Sequence, residues 1–291
     1  MPLLDALLTG LTLGGMYALV ALGLNLQYGV ARIMNLSYGE LMIAAAVLAF
    51  VLFAQHGVSP LLTLVLMLPL AALVGWAIYG LALMPLVRRA PNRDALEADS
   101  LLGTFGLLFI VQGVMLVLVG GSYLSYSFLA IPVPVLGTTL AANRVLALAM
   151  AIVLGVLVWL LLMRTRIGTA IRAVSADPVS AQLVAIDVRR LAAAALALGT
   201  VLAGVAGVLV SMFLTFSATM GVLFTMKALI VVIMGGIGNM AGTVVAALML
   251  GLVEALVGTF VDPGLTLAAN YALFLLVLLF RPAGIFGKVA R

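Results

Sequence analysis

Nine apolar runs dominate this chain, and their lengths decide what it can fold into. They lie at about 10–30, 39–55, 60–87, 101–119, 145–163, 191–213, 221–235, 242–261 and 265–280. A helix rises about 1.5 Å per residue, so about 20 residues cross the ~30 Å hydrocarbon layer of a bilayer. Hydrophobic residues make up 66% of the 291 and charged residues 8%. Soluble domains sit near about 45–50% and about 25%, so an ordinary soluble fold is excluded. In lipid every backbone N–H and C=O needs an internal partner, which a helix supplies. The expectation is an all-α integral membrane protein with eight or nine hydrophobic segments, including broken or half-spanning helices. The run 221–235 is short and Gly235-Gly236-Ile237-Gly238 follows it, so it reads as a half-helix. Pro69 and Pro85 inside the third run predict tolerable kinks. No polar stretch is long enough for a soluble domain, so residues 1–291 read as one transmembrane domain.

The basic residues set the expected orientation. Of the 14 Lys and Arg residues, all but Arg144 and Lys227 fall at Arg32, in 88–93, in 164–190 or in 281–291. Positive loops stay cytoplasmic. That puts the amino terminus outside, the carboxyl terminus inside, and 55–60, 120–144 and 262–264 outside. The net charge of +5 then reflects these loops rather than nucleic-acid binding. Asp5 is the only charge before Arg32, unlike the basic leader of a secretory signal. The stretch 120–143, rich in Ser, Tyr, Pro and Gly, reads as an extended cap. Its Tyr123, Tyr126 and Phe128 suit interfacial anchors.

Several chemistries are missing. The lysines, Lys227 and Lys288, lack the GxxxxGK[ST] context of an ATP-binding loop. There is no cysteine, and His56 is the sole histidine, which excludes a His-based metal cluster. His56 and Ser59 in the turn HGVSP are poorly placed for a protease. Residues 236–241 fit a dinucleotide fingerprint in form, but no βαβ unit precedes them.

What remains is a set of polar interruptions. In ARIMNLSYGELMIA (31–44), Ser37 and Glu40 fit an S-x-x-E capping box. That leaves Asn35 and the flanking Gly29 and Gly39 to a tight or re-entrant backbone. Gly10-xxx-Gly14, Gly238-xxx-Gly242 and Ala247-xxx-Gly251 predict close helix packing. Lys227 and Glu254 sit inside apolar runs, where a charge costs at least ~2.5–3.5 kcal/mol and turns inward. They fit either a structural ion pair or residues lining a path. In the loop 164–190, Asp177-Pro178 is a helix-start signal, PVSAQLVA (178–185) forms about two turns, and IGTAIRAV (167–174) extends a helix out of the membrane. A capped helix here suits either docking of a soluble partner or a solvated connector.

Taken in order, these stretches resemble the permease subunits of the branched-chain amino-acid class of ABC importers. GLTLGGMYALVALGLNLQYGV (10–30) is similar to that family's first span. Asn35-Leu36-Ser37-Tyr38-Gly39-Glu40 resembles its Asn-Phe-Ala-His-Gly-Glu pattern. RTRIGTAIRAVSADPVSAQLVAID (164–187) looks like its coupling region. Lys227 with GGIGNMAGTVVAALMLGLVEAL (235–256) matches its Gly-rich break and glutamate, and RPAGIFG (281–287) its ending. Here Tyr38 stands where the family often has histidine, Ser37 where it has alanine, and Ala185 where it has glycine.

The resemblance implies an ATP-driven importer subunit carrying branched-chain amino acids or related small solutes, with urea or short amides as the alternative. It implies a second permease subunit, homologous or identical, and two cytoplasmic ATPase subunits holding ATP and Mg, with no cofactor in this chain. It also implies an external solute-binding protein, a bacterial cytoplasmic (inner) membrane, and no nucleic acid. On this reading Asn35, Tyr38, Glu40, Asn239 and Glu254 line the path, and Lys227 pairs with Glu254. Arg172, Asp177, Pro178 and Gln182 couple to the ATPase. An ion-coupled secondary transporter, the competing class, needs mid-membrane carboxylates, for which Glu254 is the candidate. An intramembrane enzyme needs a nucleophile–base pair or a metal set that the sequence lacks.

Overall fold

The computed structural model describes residues 2–90, 92–135 and 137–287. Lys288 and Arg291 of the basic tail lie outside them, as does the side chain of Arg93. The chain runs through α1 (Pro2–Ala31), α2 (Tyr38–His56), α3 (Pro60–Ile78), a π-helical turn (Tyr79–Leu83), α4 (Met84–Arg89) and α5 (Arg93–Val119). A ribbon of β1 (Pro132–Val135) and β2 (Thr138–Ala141) follows, then α6 (Ala142–Arg164), α7 (Arg166–Ala176) and α8 (Pro178–Leu183). The last part holds α9 (Val188–Ser211), α10 (Gly221–Gly235), α11 (Met240–Phe260), a 3-10 turn (Pro263–Leu265) and α12 (Thr266–Phe280).

Among the described residues, 8 helical stretches are long and apolar enough to cross a membrane. One of them is the continuous 60–89. There the wide turn at 79–83 precedes Pro85 and gives its ring room that an α-turn lacks. The 15-residue α10 is shorter, at roughly 22 Å. Its contacts nevertheless span the bundle. Residue 216, before α10, pairs with Leu124 beside the β-ribbon (2.7 and 3.0 Å). Gly238, after it, bonds Asn25 near the far end of α1. Eight long helices and this short one therefore bring Pro2 and Phe280 to opposite ends.

The core forms around α1 and α9. In each, 78% of the apolar window is buried, against 17% in α5 and α6 and 6% at α12. The outer helices thus offer their apolar faces to lipid or to another subunit. Small residues permit the inner contacts. A Cβ on Gly10 or Gly14 would stand 2.9 Å from the backbone of α11, at Leu252 and Leu248. Gly251 returns the contact against Gly14. Two of the three small-residue motifs therefore meet each other. The third does not act as a helix motif: Gly238 has φ 78 in a break, and Gly242 packs on Gly235.

Local signals set the ends. Gly57, at φ 65, closes α2 with its N–H on Phe53 O and Val58 N–H on Leu52 O, both 3.1 Å, the Schellman pattern. Ser59 caps α3 ahead of Pro60. The stretch 167–174 does not prolong α6. Thr165 is extended and caps a new helix through Gly168 N–H at 3.0 Å. Gly168 lies so close to the Leu161 and Leu162 carbonyls that any Cβ would collide. The corner is a tight fold, because glycine allows it.

Candidate functional site

The first interruption, 32–37, is a re-entrant piece of extended chain. Arg32 ends α1 in a left-handed conformation, φ 54. The chain then turns back into the bundle, and its backbone finds partners in side-chain hydroxyls. Leu36 N–H donates to Thr104 Oγ1 (3.2 Å), which reaches Met34 O at 3.0 Å. Gly39 N–H donates to Thr225 Oγ1 (2.8 Å), and that hydroxyl lies 3.2 Å from Leu36 O. Thr104 is about three turns into α5. Non-helical backbone at that depth persists only where protein groups satisfy it. Thr104 and Thr225 are members of the candidate site that sequence reasoning missed, and what they do here is satisfy this backbone. Their one signal is a hydroxyl inside an apolar run.

Asn35, Tyr38 and Glu40 are 1%, 0% and 0% exposed. Asn35 Oδ1 accepts from Ser37 N–H (3.1 Å) and Ser37 Oγ (2.6 Å), and its Nδ2 donates to Gln27 Oε1. Tyr38 Oη donates to Gly199 O of α9 at 2.8 Å. The capping box is a correction: Ser37 makes no side-chain cap bond. Its hydroxyl is taken by Asn35 two residues earlier, a closer acceptor turn. Glu40 points instead at the start of α10, where Gly221 leaves room for its carboxylate. Neither carboxylate oxygen reaches a donor in hydrogen-bond geometry, although the Val222 amide faces it.

The second interruption joins α10 to α11. Gly236 (φ 100) and Gly238 (φ 78) adopt backbone that side chains resist. Asn25 of α1 holds it, accepting from Gly238 N–H (2.7 Å) and donating to Thr243 Oγ1 (2.6 Å). Asn239 caps α11 through Gly242 N–H (3.0 Å) and donates to Phe286 O (3.1 Å). Segment 281–287 folds back on the break: Ile285 N–H meets Met234 O at 2.8 Å. Asn239 borders a cavity of about 540 Å³ at this end, with Asn25, Arg172 and Trp159. The smaller, 280 Å³ cavity lies at the opposite end, lined by Tyr126, Asn143 and Arg144. Burial raises the Tyr126 phenol above its ordinary pKa, and the hydroxyl bonds Ser211 at 2.8 Å.

Lys227 and Glu254 meet. Lys227 Nζ lies 2.7 Å from Glu254 Oε1 and 2.9 Å from Oε2, with side chains 14% and 16% exposed. Two further groups close the cluster. Tyr17 Oη accepts from Lys227 (2.7 Å) and donates to Glu254 (3.0 Å), and Asn270 Nδ2 donates to Glu254 (2.8 Å). Four helices, α1, α10, α11 and α12, thus converge on one carboxylate. Asn270 is the buried residue of α12. An asparagine inside an apolar run was its available signal.

The four residues of the coupling reading do not share one surface. Asp177 caps α8 through Val179 N–H at 2.9 Å, ahead of Pro178 as its spacing suggests. Pro178 and Gln182 border a cleft of about 240 Å³ with Arg32 and Arg189. Arg172 faces the 540 Å³ cavity instead. Ala185 takes φ 60 just after α8, the conformation glycine adopts most readily.

Among the described residues, no group of three or more His, Cys, Asp or Glu side chains could hold a metal ion. Interrupted spans, held by hydroxyls and amides at membrane depth, are the architecture of a multi-pass transport bundle. The chain belongs to the family of permease components of the branched-chain amino acid transport system, whose model matches residues 6–281. That family is one of transport subunits, not enzymes. The chain is 28% identical over 295 residues to the high-affinity branched-chain amino acid transport system permease protein LivH of Escherichia coli K12, covering 98% of this chain and 96% of the relative. It is 28% identical over 296 residues to BraD of Pseudomonas aeruginosa, with the same coverage. A probable LivH of Methanocaldococcus jannaschii is 28% identical over 244 residues, 82% of this chain and 76% of the relative. The fold is shared with PsaBC from Streptococcus pneumoniae, at a TM-score of 0.54 and 14% identity, over 97% of this chain and 92% of that one.

Proposed function

We propose that the chain is the permease subunit of an ATP-driven importer for branched-chain amino acids in a bacterial cytoplasmic membrane. The observation that carries this reading is the near full-length similarity to relatives named for that transport. The chain acts as one transmembrane domain, amino terminus outside and carboxyl terminus inside. It works with a second permease subunit, two ATPase subunits that hold ATP and Mg, and an external solute-binding protein. Segment 164–190 seats the ATPase: Asp177, Pro178 and Gln182 form the docking face, and Arg172 on the preceding helix α7 takes part in coupling its movement to the bundle. The path runs beside the two interruptions. Asn239 fixes the second interruption beside the path by capping α11 and holding Phe286. Asn35, Tyr38 and Glu40, buried within the subunit, set the shape of the wall, and Glu254 with Lys227 holds the helices around it.

Reconstitution tests this directly. The subunit assembled with its ATPase partners should take up radiolabelled leucine only with ATP, and unlabelled isoleucine or valine should compete while urea does not. Competition by urea alone would move the reading to amide transport. Uptake by the lone subunit on an ion gradient would overturn it in favour of a secondary transporter. Cysteine at position 239 should react with water-soluble thiol reagents, whereas at 35 it should react only when nucleotide opens the re-entrant segment.

A further inference from the structure

We propose that the 540 Å³ cavity beside α6 and α7 holds the headgroup of an anionic phospholipid. Its walls are of two kinds. Trp159, Leu162, Met163, Ile171, Met240 and Phe286 make it largely apolar. Arg172 supplies the charge, and among the described residues no acidic side chain lines it. Its volume lies within the ~300–1,000 Å³ of small-ligand sites.

The polar groups present show what is wanting. Asn25 is committed to Gly238 and Thr243, and Asn239 to Gly242 and Phe286. A polar solute would find few groups unspent. Arg172 is different. Among the described residues its guanidinium has a distant acceptor, Thr169 Oγ1 at 3.5 Å, and a weak one, the Met163 thioether at 3.6 Å, and no carboxylate. Ser175 Oγ, on the same wall, makes no hydrogen bond among the described residues. A phosphate monoanion suits a guanidinium fork with a hydroxyl beside it.

The surroundings commit the occupant to lipid. The end of α6 walls the cavity with Trp159, Leu162 and Met163, and the outer face of that helix is apolar and exposed: Val153 51%, Val156 50%, Leu160 40% and Met163 42%. Trp159, 49% exposed, stands five residues before Arg164 in the basic corner of Arg164 and Arg166, near the level at which tryptophan anchors at a membrane interface. Acyl chains running along α6 would bring a headgroup to Arg172. Basic pockets between helices on the cytoplasmic side are where such headgroups bind. The proposal requires only that this end lies at a membrane surface, not a particular transported solute.

The test is retention of phosphatidylglycerol by the purified transporter complex, measured by native mass spectrometry, with phosphatidylcholine as the neutral probe. Phosphatidylglycerol should be retained and should raise the thermal midpoint, while phosphatidylcholine does neither. Arg172→Gln should weaken retention about ten- to hundredfold, the value of a charge-assisted hydrogen bond. Met240→Trp, which fills the cavity and keeps the charge, should weaken it as well. Arg190→Gln, in a surface pair with Asp187, should leave it unchanged. Displacement by millimolar inorganic phosphate would overturn the proposal in favour of a free-anion site. Retention unchanged in Arg172→Gln, with the ATPase subunit lost instead, would assign the cavity to that partner and overturn it too.

Discussion

Lys227→Met is the sharpest test of how the helices are held. It strips Glu254 of its cation but leaves Tyr17 at 3.0 Å and Asn270 at 2.8 Å as donors. Removing one partner from a buried pair costs about 3–5 kcal/mol, because the other charge stays uncompensated. The two remaining donors, each worth about 1.5–3 kcal/mol to a charged group, place this variant at the low end of that range. Glu254→Gln leaves the ammonium over the Tyr17 ring, 4.7 Å from its centroid, and frees Asn270 from a charged acceptor. It should cost a similar amount and loosen α12, whose buried polar contact this is. In the double variant no charge remains buried, so more than half of the summed loss should return. The readouts are the thermal midpoint of the purified subunit and ATP-driven uptake. Losses that add to within about 0.5 kcal/mol would refute the pairing, and Glu254 would then need a separate role in the path.

Three further outcomes follow from local geometry. Asp177→Ala removes the cap of α8, worth about 0.5–2 kcal/mol, and should release the ATPase subunits while the midpoint of the membrane domain holds; unchanged co-purification would oppose the docking assignment. Ala185→Gly relieves a left-handed alanine, which costs about 1–2 kcal/mol, so amide exchange over 181–187 should slow, and faster exchange would count against the strain. Ending the chain after Phe280 removes the donors to Met234 O and Gly235 O, and should speed exchange over 234–243 without unfolding the α1–α11 contact; protection that persists would show that 281–287 does not brace the break.

The apolar runs alone mark nearly all of the spans, because lipid burial needs length and hydrophobicity and little else. The small residues also foretell a contact, and Gly10, Gly14 and Gly251 make it. Local patterns mislead where a nearer partner competes. Ser37 and Glu40 have the spacing of a capping box, yet Asn35 takes the serine and Gly221 makes space for the glutamate. Other features lie beyond any local pattern. Thr104 lies 70 residues from Met34, and Tyr17 lies 237 from Glu254. Such pairs become visible only when the helices are placed side by side, although each is flagged as a polar side chain inside an apolar run.

A further set of contacts meets at the carboxyl-terminal end of α1, and that gives the bundle a mechanical logic. Asn25 grips the glycine break through Gly238. Gln27 contacts Asn35 of the re-entrant segment and Leu196 O of α9. Arg32, one turn on, donates to Ser175 O near the end of α7 at 3.3 Å. The helix α7, both interruptions and the central helix α9 are therefore joined by the last two turns of α1 and the residue after it. Gly29 stands between them, with Ser175 and Gly238 each within 4 Å of where its Cβ would lie. A side chain at position 29 would meet both neighbours, so Gly29 lets α1, α7 and the break approach one another at this point.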